Sequence, residues 1–591
     1  MEIKTEDIFD IVVTYPKLKA ALAQNQATAD QIKKHIKEIH GEAKISWLEA
    51  SETILDATLA KLYKEIYCDL PYEGFNLSDL AKKYNIVLVP NHQSHGDYIA
   101  LSYIFFKKFK TLISIAGGIN LNIFMLGGFF RNTGAFFIRR SFGQDQSYKL
   151  TFEAYLFYLL STGKILEFFF EGGRSRTGKL LPPKFGLFQM ILEAYSHIPE
   201  NKKMPLRFVP VSLAHEQLPE ETAHARELSG AKKEKENIFQ LVKLFKLFGK
   251  NFGSLHIRVG NLIEAPLLED QKQRTQELAF ECFRKVGEGI PITPVAMLSL
   301  VLLDDPSGSV TLESILEKAE TIISYCEKFQ IPLGHGLHLD EDFKQTLVEC
   351  LQWMVENHKI QHIRHEILKQ SFYTVLPEAR VKVVYFKNMV LHHFLVPSIM
   401  NSAWYQLVNG TIKNINDLSR FLMEKRRELR FEFYLPSIKH MLGLSLSIVA
   451  YTIGRELSSL DDIFSLSKEE LFQIGQKIKP FSNVISFIYE TYYLAVLSFR
   501  FFREQEFTQA EFLSVSKEIH ALELLHGRII KYQESYLVPI LKDCMNYFVH
   551  VQLIVENDGK FKVTRIEDLE FYLAKFSSDA NDRVGINLKL S

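Results

Sequence analysis

Between about residues 84 and 265 the chain alternates short β-rich runs with helix-like segments, and this alternation restricts the fold more than any other feature. The runs are residues 86–89 (IVLV), 112–115 (LISI), 135–138 (AFFI), 165–170 (ILEFFF), 208–213 (FVPVSL) and 255–259 (LHIRV). Helical spacing predicts helices between most of them, for example over 146–160 and 186–196. Strands that take turns with helices bury both faces of a sheet. The expectation for residues 81–290 is therefore an α/β domain, a mixed sheet covered by helices.

The flanks carry a different pattern. Residues 1–80 read as helical: Thr28 to Gln31 and Ser46 to Glu49 have the form of capping boxes, and Leu55, Leu59, Leu62 and Ile66 follow helical spacing. Residues 291–591 are expected to form a large, mainly helical domain. Ser467 to Glu470 and Thr508 to Glu511 are further capping boxes, and Thr564 to Glu567 opens another helix. Asn557-Asp558-Gly559 lies between two strand-like runs and predicts a hairpin. The charged stretch AHARELSGAKKEKE, residues 223–236, is expected to be a solvated loop and helix.

Charge and cysteine content remove several function classes. Lys plus Arg and Asp plus Glu each number 70, so the whole chain offers no electrostatic case for nucleic acid as a partner. Five cysteines (Cys68, Cys282, Cys326, Cys350, Cys544) are odd in number, scattered and without a CxxC, which points to reduced thiols in a cytosolic compartment. The N-terminus MEIKTEDIFDIVV has no signal-peptide core. Residues 111–130 carry no charge over a length that could span a bilayer, but they hold four glycines and two asparagines. A buried strand, turn and short helix is the expectation there, with a dip into one leaflet as the second reading.

Chemistry concentrates after the run IVLVP, in Asn91-His92-Gln93-Ser94-His95-Gly96-Asp97-Tyr98. A histidine just past a strand end sits where α/β sites lie. On a continuous helix, His92 and Asp97 would point about 140° apart. They meet if a turn intervenes and the helix begins near Ser94. Asp97 then accepts from one imidazole nitrogen, sets the tautomer and leaves the other nitrogen as a base. Basic residues gather in the same domain: between Arg131 and Met190 there are nine Lys/Arg and four Asp/Glu, a balance of +5. Arg139 and Arg140 end one strand-like run, and Arg174 and Arg176 follow another. Guanidinium forks suit a phosphate, although surface ion pairs account for Arg139 and Arg140 equally well.

Three motifs mislead. Gly173 to Lys179 fits GxxxxGK, but Leu180 replaces the hydroxyl residue, and Pro182 and Pro183 forbid the helix a P-loop needs. Gly173-Arg-Ser175-Arg-Thr177 fails the GxSxG elbow at its last position. His358, His362 and His365 resemble an i, i+4 metal pair on a helix but lack the carboxylate spacing of a zincin, so no metal and no cofactor is expected.

NHQSHGDY, GAFFIRR, FEGGRSRTG and FVPVSLAHE occur in the order of the four acyltransferase motifs of glycerophospholipid synthesis. Together with AGGINLNI, ARELSGAKKEKE and YFKNMVLHHF they resemble the membrane-bound glycerol-3-phosphate 1-O-acyltransferase family (PlsB type), from about residue 80 to 400. The resemblance implies that His92 is the general base and Asp97 its orienting partner. It links Gly134, Arg139 and Arg140 to the acceptor. It assigns Glu171, Gly172, Arg174 and Ser175, with Arg176 beside them, to glycerol 3-phosphate, and sets Pro210 near the acyl donor. The implied partners are glycerol 3-phosphate, acyl-CoA or acyl carrier protein, and a membrane lipid surface. The implied location is the cytoplasmic face of the inner membrane, peripheral or monotopic. Dihydroxyacetone phosphate or a lysophospholipid as acceptor, and a non-catalytic scaffold, stay open. The family often has Tyr-Glu where this chain has His215-Glu216, so the resemblance assigns no role to His215.

Overall fold

The computed structural model describes residues 5–119, 126–139, 141–143, 145–231, 251–305, 308–367, 369–530 and 532–581. The chain divides into two compact units. The first comprises Met1–Ser175, Leu180–Glu220 and Glu234–Pro291; the second comprises Arg176–Lys179, Glu221–Lys233 and Ile292–Ser591.

The first unit is built on an eight-stranded mixed sheet. Its strands are β1 (Ile66–Asp69), β2 (Asn85–Pro90), β3 (Ile113–Gly118), β4 (Ala135–Ile138), β5 (Ile165–Glu167), β6 (Leu206–His215), β7 (Leu255–Val259) and β8 (Ile263–Glu264). The order is β1-β7-β6-β2-β5-β3-β4, and β8 adds to β6. The pairs β6–β2, β2–β5, β5–β3 and β3–β4 are parallel, while β6 meets β7 and β8 antiparallel.

Burial follows from the pleat. Every residue of β2 is buried. Val87 and Val89 join one apolar cluster and Ile86 and Leu88 the other, as a central strand covered on both faces requires. The helices Thr5–Val12, Ala29–Ile39, Gln146–Ser161, Phe185–Ser196 and Gln271–Gly289 cover one face; Ile45–Leu62 and Asp97–Phe109 cover the other. The mixed, helix-covered sheet is the expected fold class, and the strands 135–138 and 255–259 have the expected ends.

The N-terminal 80 residues are part of this unit, because their helices supply core residues such as Ile8, Ile32 and Ile36. Ile66, read as the end of a helical series, opens β1 instead: the helix stops at Leu62, and β1 pairs parallel with β7. Thr28 makes its capping box, but Ser46 does not, since that helix starts at Ile45 with Lys44 as its cap. Lys44 N–H is drawn to the carbonyl of Asn132 at 3.0 Å, a tertiary contact that shifts the start. In the uncharged stretch, residues 113–118 form β3 and Leu126–Asn132 is helical. Phe124 and Met125, the side chains best suited to touch lipid, lie outside the described residues. No described helix is long and apolar enough to cross a membrane.

The second unit is mainly helical, with two three-stranded sheets. The hairpin at 554–563 forms as expected, with Asp558 and Gly559 both at positive φ (48° and 77°) in its two-residue turn. The boxes at Ser467 and Thr508 are present. Thr564 caps no helix; its hydroxyl donates to the carbonyl of Gln552. His358 is in a turn at positive φ, and His362 and His365 lie on the strand Ile360–His365. The helical spacing read for that trio therefore does not exist. The charged stretch opens inside the helix Glu221–Leu228, where His224 is buried and Glu221, just before the stretch, is buried and pairs with Lys359 at 2.6 Å. Residues 232–236 lie outside the described residues.

Candidate active site

Three neighbouring strands, β6, β2 and β5, run parallel, so their carboxyl ends share one edge of the sheet. That edge is where ligands bind in open α/β sheets. His92 follows β2, the loop from Glu171 to Ser175 follows β5, and His215 ends β6.

Two amides seat the loop after β2. Asn91 donates Nδ2–H to the carbonyl of Leu213 at 3.0 Å and accepts the Leu213 N–H at 2.7 Å, extending the ladder with a side chain. Gln93 accepts the N–H of His215 at 3.3 Å. The chain then turns, and a helix begins at Asp97 with Gly96 as cap. The turn brings Asp97 back under His92. Its Oδ2 accepts from His92 Nδ1 at 3.0 Å and from the N–H groups of Gln93 at 2.8 Å and Ser94 at 2.9 Å. Its Oδ1 accepts from His215 Nε2 at 2.8 Å. Burial pushes the Asp97 carboxyl up, but the hydrogen bonds from His215 and His92 outweigh it and hold the group well below the usual carboxylate range. An ionised Asp97 can only accept, so His92 carries its proton on Nδ1. No described residue hydrogen-bonds His92 Nε2, which is left as a basic lone pair. The ring is wedged between Phe169, with centroids 4.1 Å apart, and Tyr98, edge-on at 5.1 Å.

The loop after β5 holds His92 by its backbone. Glu171 Oε1 accepts the His92 N–H at 2.7 Å, and Ser175 N–H donates to the His92 carbonyl at 2.8 Å. The second Glu171 oxygen accepts the Leu181 N–H at 2.9 Å. Both oxygens of Glu171, which the resemblance linked to glycerol 3-phosphate, are thus engaged by backbone N–H groups, and one of them supports the His92 backbone. Gly172 turns the chain at φ +68°. Arg174 is nearly buried, with Nη1 3.3 Å from Glu220, and Glu220 also accepts from Ser94 Oγ at 3.0 Å and His95 N–H at 3.0 Å. Arg176 belongs to the second unit, where it pairs with Glu227. Close by in sequence, Gly178 sits at φ +85° where a Cβ would come within 2.0 Å of the Tyr385 carbonyl oxygen, and Lys179 is buried against Glu432.

Other expected site residues have structural employment. Gly134, at φ +104°, lets β4 approach β3: a Cβ there would fall 2.1 Å from the Ile113 carbonyl oxygen. Arg139 directly follows β4, three strands from β2, or roughly 14 Å along the edge. Its guanidinium grips Glu38 at 2.6 and 2.7 Å and Asp145 at 2.8 Å, and lies 3.9 Å over the Tyr148 ring. Two carboxylates compensate its charge, the ion-pair alternative that its sequence left open. Arg140 lies outside the described residues. Pro210 lies opposite Val89 in β6, at the point where the strand's other edge changes partner from β8 to β7. A missing N–H costs little at such a gap.

Sequence reasoning missed Asn91, Gln93, His215 and Glu167. Glu167 ends β5 beside Leu88 and Ile115, is 1% exposed, and has no hydrogen-bond partner for either oxygen among the described residues. Burial, reinforced by the nearby Asp97 charge, pushes its carboxyl up to about 8; burial also pushes Glu171 up to about 8, against its two backbone hydrogen bonds. The only sequence signal was an acidic residue inside an otherwise apolar run. A raised folded-state pKa means the folded form holds its proton where the unfolded chain, near 4.5, has released it. Glu167 therefore costs the fold nothing below pH 4.5, and stability is lost progressively as pH rises from there through about 8. The loss is about 1.4 kcal/mol per unit of pKa difference. We expect the melting temperature of the protein to fall between pH 5 and 8.5, and Glu167→Gln to flatten that slope while Glu171 maintains part of it. Asp97, depressed below 3.8, contributes no slope in this window. An equal slope in both proteins refutes the assignment.

A family model described as acyltransferase matches residues 75–213, the stretch that carries the His92–Asp97 pair. A second model, described as glycerol-3-phosphate acyltransferase C-terminal region, matches residues 224–557, more than half of the chain, and the chain belongs to that family. It is 29% identical over 372 residues to a protein named glycerol-3-phosphate acyltransferase from Pseudomonas putida (strain W619), covering 59% of this chain and 44% of that one. It is 32% identical over 375 residues to one of the same name from Ectopseudomonas mendocina (strain ymp), covering 59% and 43%. It is 26% identical over 555 residues to another from Actinobacillus pleuropneumoniae serotype 3 (strain JL03), covering 88% and 64%. The chain thus spans less than two thirds of the length of these relatives.

Proposed function

We propose that this protein is a glycerol-3-phosphate 1-O-acyltransferase, moving an acyl group from a thioester to the sn-1 hydroxyl to give 1-acylglycerol 3-phosphate. The observation that carries the reading is His92, whose Nδ1 is fixed 3.0 Å from a buried carboxylate while Nε2 is left to act as a base. The hydroxyl oxygen attacks the thioester carbonyl carbon as its proton passes to His92 Nε2. The C–S bond then breaks, and the thiol, with a pKa of roughly 8.5, departs easily, recovering a proton from the imidazolium. Acyl-CoA and acyl carrier protein present the same thioester, and either fits this chemistry. The names of the relatives support glycerol 3-phosphate as acceptor. A lipid product supports peripheral or monotopic attachment to the cytoplasmic face of the inner membrane.

Arg174 is the phosphate ligand in this reading, since it is nearly buried beside the His92 loop, whereas Arg139 is gripped by Glu38 and Asp145 three strands away from that loop. Purified protein is assayed with labelled glycerol 3-phosphate and with dihydroxyacetone phosphate, each with both donors. Transfer is expected to favour glycerol 3-phosphate, and exclusive use of dihydroxyacetone phosphate rejects the reading. Arg174→Ala should raise KM for glycerol 3-phosphate by about 10–100-fold, the worth of one charge-assisted contact, with donor KM within about threefold. Equal effects on both substrates indicate loss of structure and remove Arg174 as the ligand.

A further inference from the structure

We infer that His215 is a positioning residue of the active site: by donating Nε2–H to Oδ1 of Asp97 it locks the carboxylate with Oδ2 turned to His92. The inference rests on the acyl-transfer reading only for its kinetic arm. The two oxygens of Asp97 are unequally served. Among the described residues Oδ2 has three donors, His92 Nδ1, Gln93 N–H and Ser94 N–H, whereas Oδ1 has one, His215 Nε2 at 2.8 Å. Asp97 is 1% exposed and His215 fully buried, so water has little access to replace that donor. An ionised carboxylate with one oxygen unserved in such surroundings either protonates or rotates. Each outcome disturbs the hydrogen bond that sets the tautomer of His92.

The placement of His215 is itself well constrained. It is the last residue of β6, paired with Leu255 of β7, its N–H is taken by Gln93, and its ring packs 5.9 Å from that of Tyr63. Its own Nδ1 is buried and unpartnered among the described residues. The acceptor Asp97 therefore assigns the proton to Nε2. The bare Nδ1 is tolerated for the sake of the single bond that the ring makes. A ring chosen only to fill the core has no need of a ring nitrogen aimed at a carboxylate. The arrangement is an imidazole on each side of one carboxylate, the outer one fixed and the inner one reactive.

The test uses the full-length protein and two substitutions. His215→Leu keeps the bulk and removes the donor. His215→Gln places an amide N–H where Nε2–H was. The leucine variant should lower kcat by about 10–100-fold with both KM values within about threefold, because a correctly set base is lost rather than a binding contact. The glutamine variant should recover kcat to within about fivefold of the wild type, which loss of packing alone would not allow. A second readout needs no substrate. In spectra of the 15N-histidine-labelled protein, the low-field Nδ1–H proton of His92 should persist with glutamine and be lost or move upfield with leucine. An unchanged resonance or an unchanged kcat in the leucine variant overturns the inference, as does a glutamine variant as poor as leucine. If leucine fails to fold, His215→Asn, whose amide is too short to reach Oδ1, takes its place. Should the wild type transfer acyl groups to no acceptor, the functional reading falls, and the resonance alone then decides the role of His215.

Discussion

Replacing His92 with alanine should lower kcat by about 10²–10⁴-fold, the range a general base contributes, while KM for acceptor and donor stays within about threefold. The fold should survive the change, because what anchors position 92 is backbone: its N–H is held by Glu171 and its carbonyl by Ser175, and alanine keeps both. What is lost is the ring between Phe169 and Tyr98 and one of the three donors to Asp97 Oδ2. The N–H groups of Gln93 and Ser94 continue to serve that oxygen, so the carboxylate is not stranded. Circular dichroism and the melting temperature should be close to those of the wild type. Near-normal turnover in the alanine variant would mean that the hydroxyl proton leaves by another route, and the mechanism would be wrong.

Asp97→Asn is expected to lower kcat by about 10²–10³-fold, and the cause is not the one that spacing alone suggests. A carboxamide beside a catalytic histidine can present its NH2 to the ring and force the wrong tautomer. Here two backbone N–H groups, from Gln93 and Ser94, point at the position of Oδ2 and demand an acceptor there. The asparagine oxygen must take that place, so it still accepts from His92 Nδ1 and the tautomer is kept. Its NH2 then faces His215, whose proton moves to Nδ1, a nitrogen with no present partner among the described residues. The variant loses only the negative charge that stabilises the imidazolium formed during attack, a charge-assisted bond worth about 3–4 kcal/mol in a water-poor site. Both KM values should stay within about threefold, and the His92 Nδ1–H resonance should remain, shifted upfield. A loss well beyond this range, with the ring proton found on Nε2, would show that the amide has turned over. Wild-type turnover would show that the charge is not used.

The chemistry that could be read from the sequence was the chemistry of near neighbours. His92 and Asp97 are five residues apart, and one turn is enough to join them. The capping boxes at Thr28, Ser467 and Thr508 and the Asp558-Gly559 turn are equally local, each settled by residues within hydrogen-bond reach along the chain. The alternation of apolar runs was sufficient for the sheet, because a strand buried on both faces must be apolar throughout, and the ends of β4 and β7 coincide with the ends of their runs. The two residues of β8 were too few to show a period, and Ile66 of β1 continued the helical spacing of Leu55, Leu59 and Leu62.

The sequence by itself therefore determined the α/β class, the position of His92 and the carboxylate that its Nδ1–H meets. Tertiary structure alone decided which groups stand around that pair. His215 reaches Asp97 across 118 residues of chain, Glu171 reaches the His92 backbone across 79, and Glu38 pairs with Arg139 across 101. Separations of this size leave no periodicity or spacing to read, since it is strand order and not sequence order that makes the residues neighbours. Glu167 shows the same limit from the other side. Its raised pKa comes from what surrounds it, a sheet core that admits no donor and a nearby Asp97 charge, and neither is written in the run of residues that contains it.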